Sequence, residues 1–460
     1  MSENEGKTSI NILKVRDDDQ VFKFKLDSEG KYKPPEDTDA SWIEGGKITV
    51  QGLRKRIEPW LTALFQSEHL SLLIGSGLTK AIHKIATNGA PSQNSATGMD
   101  TVSFDVYSDE IEKAVQESAK KSEREQGNIE DQIRVVNELL AGLEIIGDPK
   151  KEKLSENLKN ALRDFAISLL NTENNIATTV NETQRDEAFS VLTSFLMSFA
   201  SRTGSRDRLN IFTTNYDRLI ETGAELAGLH LLDRFLGSIS PIFRSSRLDV
   251  DMHYNPPGIR GEPRYLEGVA RFTKLHGSID WVQNAKDIRR IGMPFGAIDI
   301  DPYLNAPGFH GLDALRIMIY PNAAKDRETI IYPYADLFRD FSAAVCRPNN
   351  TLVTYGYGFG DEHINRIIED MLTIPSTHLV IISFDDPLER IMKIYKTRST
   401  QISLLVGSEF GDITKLTSTY LPKAAIDKAS FRMGEILRNR FNTTQPREDN
   451  NKNSDTEVEA

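Results

Sequence analysis

Short apolar runs that stop on glycine or on polar, chemically capable residues recur along this chain. Leu70-Ser71-Leu72-Leu73-Ile74 runs into Gly75-Ser76-Gly77, and Leu209-Asn210-Ile211-Phe212-Thr213 into Thr214-Asn215-Tyr216-Asp217. Phe272-Thr273-Lys274-Leu275 runs into His276-Gly277-Ser278, and residues 350 to 355 into Gly356-Tyr357-Gly358-Phe359-Gly360-Asp361. Two further runs, residues 379–384 and 402–406, follow. Near-continuous hydrophobicity over five or six residues marks a strand buried on both faces, as in a parallel sheet. Between these runs apolar residues return at helical spacing, over 50–65, 78–85, 216–227, 334–344, 363–372 and 387–398. The alternation predicts an α/β domain built on a Rossmann-like doubly wound parallel sheet.

Three stretches depart from this alternation. Residues 9 to 50 carry strand-like runs (Ile10, Ile12, Leu13, Val15, then Val21, Phe22, Phe24, Leu26) broken by Asp17-Asp18-Asp19. We take residues 1–50 as an N-terminal β extension, too small for a core of its own, that packs on the main domain or forms an assembly or partner surface. Residues 86 to 206 predict a mostly helical insertion, with a small-polar loop over 90–108 and helices over 109–126, 128–143, 154–170 and 188–200. Residues 283 to 331, rich in Gly and Pro, form a second, irregular insertion. The main domain spans 51–440, and 441–460, almost devoid of apolar residues, is expected to be a disordered tail.

Composition narrows the class. With 460 residues, 39% hydrophobic and 27% charged, the chain can bury a large core. The formal net charge is -11 and no Lys/Arg run resembles a nucleic-acid footprint, so no direct nucleic acid is expected. The polar, acidic start lacks the regions of a signal peptide, and no run approaches the roughly 18 apolar residues of a membrane span, which points to a cytoplasmic protein. A single cysteine, Cys346, excludes internal disulfides and a multi-thiolate zinc site.

The strand ends carry the candidate chemistry. Gly75-Ser76-Gly77 lets backbone approach a pyrophosphate at a helix N-terminus; Lys80 holds the last glycine position of the full G-x-G-x-x-G pattern, and a tight structural turn accounts for the triplet as well. The alternating glycines 356, 358 and 360 repeat that logic, with Asp361 also suited to cap the next helix. Asn215 offers donor and acceptor to a ribose hydroxyl or a water, or serves as a turn residue, and Asp217 fits a catalytic or a capping role. His276, at a strand end before Gly277-Ser278, is the candidate base.

These four segments, in this order, resemble the sirtuin-like family over roughly residues 60 to 420. The resemblance implies that Gly75, Ser76 and Gly77 with Thr214 hold the diphosphate side of NAD, and that Asn215 and Asp217 hold the nicotinamide ribose and assist glycosidic cleavage. It makes His276 the base, and places Gly356, Gly358, Phe359, Asp361 and Ser383 on the adenosine half. Protein-deacetylating sirtuins carry a four-cysteine zinc module, which one cysteine cannot supply, so no zinc is expected. That departure is similar to the bacterial defence branch, which implies an NAD glycohydrolase that depletes NAD during phage infection. Some such relatives stand alone, others assemble with a HerA-type ATPase and others with an Argonaute; for this chain a homo-oligomer is expected, with a HerA-type ATPase as the candidate partner. A non-catalytic NAD or ADP-ribose sensor, a protein deacylase and an ADP-ribosyltransferase remain as alternatives.

Overall fold

The structure, a computed structural model, describes residues 10–423 apart from 16–17, 27–31, 34–42, 44–47, 90–100, 122–125, 203–205, 246–250, 255–263, 284–286, 306–308, 310–311, 313, 320–332 and 387. The expected disordered tail lies outside these residues.

Ten strands form the main sheet: β1 (Asn11–Lys14), β2 (Phe22–Leu26), β3 (Tyr32–Lys33), β4 (His69–Ile74), β5 (Asn210–Thr213), β6 (His230–Leu232), β7 (Val269–Lys274), β8 (Asn350–Tyr355), β9 (His378–Ser383) and β10 (Ile402–Val406). Their spatial order is β3-β2-β1-β10-β9-β8-β4-β5-β7-β6. Every pair from β10 through to β6 is parallel. Apart from the edge strand β6, which precedes β7 in the chain but lies outside it, the strands run outward from β4 to β5 and β7, then return to β8 beside β4 and continue to β9 and β10, the doubly wound 3-2-1-4-5-6 order. The order reverses between β4 and β8, and a ligand crevice opens at the carboxyl ends of strands at such a point. β4 and β8 pair in register from His69↔Asn350 to Ile74↔Tyr355, so Gly75 and Gly356 leave the sheet side by side.

Helices α1 (Val50–Phe65), α2 (Ser76–Ala86), α6 (Glu182–Ala200) and α7 (Leu219–Leu226) cover one face, burying Leu53, Ile57, Ile82, Phe195 and Ile220 against Leu72, Ile211 and Val353. Helices α8 (Tyr334–Val345), α9 (Glu362–Leu372) and α10 (Arg390–Thr397) cover the other, with Phe341, Ile368 and Ile394 on Leu73, Phe212, Leu352 and Ile381. The side chains alternate between the two faces with the strand period of two.

The N-terminal strands lie on this domain. β1 pairs antiparallel with β10, Ile12 opposite Val406, and β2 folds back on β1. Asn11 is buried, and its Oδ1 accepts the backbone N–H of Glu409 at 2.9 Å.

The helical insertion comprises α3 (Ser108–Lys121), α4 (Ile129–Ile146), α5 (Lys151–Ala177) and α6. α5 continues seven residues beyond the end that its apolar spacing predicts. The reason is that its polar stretch Thr172-Glu173 is buried rather than exposed. α3, α4 and α5 enclose a third core with Ile111, Val136, Leu158 and Phe165, which also takes in Tyr216 and Ile279 from the segments after β5 and β7. Among the described residues of the second insertion, Ile288–Arg290 and Ile317–Ile319 are strands. Gly277–Gln283 forms a strand of a five-stranded antiparallel sheet, between Ile317–Ile319 at one edge and Ile288–Arg290, with Ile242–Phe243 and then Phe235–Leu236 beyond. No helix among the described residues is long and apolar enough to cross a membrane.

Candidate active site

The turns after β4 and β8 pack backbone against backbone. Gly75 N–H donates to the Tyr355 carbonyl at 3.0 Å, and Gly77 N–H to the Gly356 carbonyl at 3.1 Å. A Cβ on Gly75 would lie 2.4 Å from the Gly356 carbonyl oxygen, and one on Gly77 would lie 2.5 Å from Gly356 Cα. Gly356 also needs φ +60°, a left-handed conformation that side chains disfavour. These three glycines are therefore demanded by the close approach of the two turns. Gly358 differs, because a Cβ there would meet nothing within 4 Å.

The loop after β5 is pinned from several sides. Thr213 Oγ1 donates to the Ile74 carbonyl at 2.9 Å and accepts the Asn215 N–H at 3.0 Å. Asn215 Nδ2 donates to the Gly75 carbonyl and to Thr79 Oγ1, each at 3.1 Å. Thr79 Oγ1 in turn donates to Asp217 Oδ2 at 2.7 Å, while Asp217 Oδ1 accepts the Leu219 N–H at 3.1 Å. Thus α7 starts three residues later than its apolar spacing suggests, because 216–218 are held as a loop.

Buried charges lie behind that loop. The Lys274 ammonium donates to the Tyr216 carbonyl at 3.4 Å and to the Asp217 carbonyl, and pairs with Glu221 Oε1 at 3.0 Å. Burial raises the Glu221 carboxyl above its ordinary value, and the nearby ammonium opposes it. Glu173, from α5, accepts the Arg218 backbone N–H at 2.7 Å and pairs with its guanidinium. Its carboxyl too is raised by burial, against the pull of Arg218. The insertion therefore grips the residue next to Asp217.

His276 sits in the turn between β7 and the strand Gly277–Gln283. Its Nε2 lies 2.8 Å from Asp361 Oδ2. The other oxygen of Asp361 caps α9, accepting the N–H groups of His363 at 3.0 Å and Ile364 at 3.4 Å. One carboxylate thus starts a helix and orients an imidazole. The imidazole side chain is 12% exposed, enough to reach a small ligand.

Two cavities that share lining residues meet at these turns. The first, about 300 Å³, is lined by Gly75, Ser76, Thr214, Asn215, Asp217, His276, Gly358 and Asp361, together with Thr79, Lys80, Tyr216 and Tyr357. The helical insertion adds Glu130, Phe165, Leu169 and Thr172, and Glu130 accepts from the Tyr216 hydroxyl at 3.1 Å. Burial raises that phenol well above its ordinary value, so it stays protonated. The second, about 660 Å³, is lined by Ser76, Gly77, Lys80, Lys84, Gly356, Gly358, Ser383, Asp385 and Asp412 among others. Ser76, Lys80, Tyr357 and Gly358 line both.

Of the twelve residues singled out from sequence, eleven line one cavity or the other. Phe359 does not. At φ +51° its ring turns into the core beside Tyr357, 2% exposed, and its carbonyl accepts Asn365 Nδ2 at 3.0 Å. Its place is structural: it shapes the turn that delivers Asp361. Sequence reading missed Thr79, whose signal was a polar pair, Thr79 and His83, four apart and both buried on α2. It also missed the four insertion residues, which nothing in their spacing marks. No cluster of His, Cys, Asp and Glu able to hold a metal occurs among the described residues.

Residues 209–403 match the family model described as SIR2-like domain. No curated protein matches the chain. Among solved structures, it is similar at TM-score 0.32 and 10% identity to a Sir2 variant with a deacetylated p53 peptide and 3′-O-acetyl ADP-ribose, covering 78% of this chain and 95% of that one. So loose a superposition carries nothing about this chain's chemistry.

Proposed function

We propose that this chain, with its SIR2-like segment, is an NAD glycohydrolase: it cleaves NAD to nicotinamide and ADP-ribose. The observation that carries the reading is the Asp361–His276 pair facing the same cavity as Asn215 and Asp217. A second, larger cavity that suits the rest of a dinucleotide adjoins it at the glycine turns.

In this reading the bond between C1′ of the ribose and the pyridinium nitrogen breaks. Nicotinamide leaves with the electron pair as a neutral molecule, and positive charge develops on the sugar. The carboxylate of Asp217 supplies fixed negative charge toward that centre. The amide of Asn215 orients a ribose hydroxyl or the attacking water. Water then adds to C1′ and its proton passes to His276, which Asp361 holds in place. NAD and water give ADP-ribose, nicotinamide and one proton, so the equation balances with no other reactant. What favours water over a protein acceptor is the contribution of Phe165, Leu169 and Glu130 to the cavity lining, side chains of an insertion that itself closes around Tyr216.

The same reading carries the setting the resemblance implies: NAD depletion in the cytoplasm of a phage-infected bacterium, by a homo-oligomer with a HerA-type ATPase as partner. Light scattering of the purified chain, alone and co-expressed with such an ATPase, tests the assembly. Cellular NAD after phage challenge tests the role. The chemistry is tested first by nicotinamide release from NAD with the wild type, Asn215→Ala and His276→Ala. Loss in both variants supports the proposal. NAD bound but never cleaved, in any assembly, would replace it with the sensor reading, and ADP-ribose or an acyl group appearing on a protein would replace it with group transfer.

A further inference from the structure

A threonine hydroxyl carries one hydrogen, and an ionised carboxylate can only accept. Thr79 Oγ1 lies 2.7 Å from Asp217 Oδ2 and 3.1 Å from Asn215 Nδ2, with all three side chains buried. Its single hydrogen therefore belongs to Asp217, and from Asn215 it must accept. The second Nδ2 hydrogen goes to the Gly75 carbonyl at 3.1 Å, an atom that also cannot donate. Rotating the amide by half a turn would set its oxygen against two acceptors. The chain from Gly75 through Asn215 and Thr79 to Asp217 thus has one direction only. Within it the Asn215 Oδ1 is the atom left for the cavity that Asn215 lines.

We infer that Thr79 is a positioning residue for the cleavage reaction: its hydroxyl fixes which end of the Asn215 amide meets the ribose or water, and holds the Asp217 carboxylate in place. The inference rests on the glycohydrolase reading. It makes the first turn of α2 part of the reacting half of the site, in addition to any contact that its N-terminal glycines make with phosphate. The acceptor that Asn215 presents suits a hydroxyl or a water, groups with a hydrogen to give.

Thr79→Val keeps the shape and removes the hydroxyl, while Thr79→Ser keeps the hydroxyl and removes the methyl. The test is steady-state nicotinamide release from NAD by both, beside the wild type and Asn215→Ala, with ADP-ribose affinity as the check that each variant folds. Thr79→Val should lose about 10- to 100-fold in kcat, the range for removing one preorganised hydrogen-bonding group. Its KM and ADP-ribose affinity should change by less than about threefold, because dinucleotide binding draws mainly on the other cavity. Thr79→Ser should recover most of kcat. Wild-type turnover in Thr79→Val with Asn215→Ala inactive would overturn this inference alone. Equal damage in Thr79→Ser and Thr79→Val would also overturn it, assigning the loss to packing. Wild-type turnover in Asn215→Ala would bring down the underlying reading instead.

Discussion

Gly356 and Gly358 stand two residues apart in the turn after β8, and the structure separates what each is for. At Gly356, alanine must adopt φ +60°, which costs a side chain roughly 1–2 kcal/mol. Its methyl would also arrive 2.6 Å from Gly77 Cα and 3.0 Å from both neighbouring backbone atoms of that residue. Backbone cannot rotate aside as a side chain can, so relief requires the β4 and β8 turns to part, at about 1–3 kcal/mol more by analogy with overpacked cores. Gly356→Ala should therefore lose roughly 2–5 kcal/mol of stability. At Gly358, φ lies outside the left-handed region and a methyl meets nothing within 4 Å. Gly358→Ala should stay within about 0.5 kcal/mol of the wild type. Its methyl, however, enters the lining shared by both cavities, and ADP-ribose affinity should fall by about 10-fold or more. Urea unfolding followed by tryptophan fluorescence gives the first quantity, and calorimetric titration with ADP-ribose gives the second. Equal midpoints for Gly356→Ala and the wild type would refute the backbone-contact argument. A Gly358→Ala protein that is unstable, or that binds ADP-ribose normally, would refute the assignment of that glycine to ligand space.

Other perturbations divide structure from chemistry in the same way. Asp361→Asn keeps a good helix cap, so stability should change little, while nicotinamide release falls about 10- to 100-fold because an amide that caps through its oxygen turns a donor, instead of the carboxylate acceptor, toward His276 Nε2; unchanged turnover would make the pair incidental. Glu173→Gln strands the buried guanidinium of Arg218 and should cost about 3–5 kcal/mol in chemical unfolding, whereas a loss below about 1 kcal/mol would mean the pair opens to water. Burial, aided by the charge of Lys14, lowers His378 from 6.5 to about 4 while it holds Ser403 Oγ at 2.8 Å. Below pH 6.5 the unfolded chain therefore binds a proton that the folded chain refuses, so stability present above pH 6.5 declines as pH falls toward 4, by up to roughly 3 kcal/mol. The slope of unfolding free energy against pH over that window should flatten in His378→Gln, and an identical slope would exclude His378 as its source.

The parallel strands were legible because burial on both faces leaves short, largely apolar runs: β9 carries Leu379 to Ile382 unbroken, β4 and β10 are interrupted by one serine each, and β5 and β8 keep an apolar pair between polar ends. Elements that failed to show did so for reasons equally physical. The strands beside Gly277–Gln283 are two or three residues long, shorter than any period can reveal, and they gain order from Trp281 packing on Phe235 rather than from their own sequence. α5 reads as ending early because Glu173 looks like surface; only its partner Arg218, 45 residues on, makes it interior. The site shows the same divide. Spacing could say that Asn215, Asp217 and His276 each leave a strand toward one crevice, because strand ends in a parallel sheet all point one way. It could not say that Asp361, 85 residues past His276, would turn a capping carboxylate onto that imidazole. Nor could it sort the glycines, since a glycine needed for a ligand and one needed for another glycine leave the same letter. Gly75, Gly77 and Gly356 answer to each other; Gly358 answers to open space, and it is there that the chain has kept room for something other than itself.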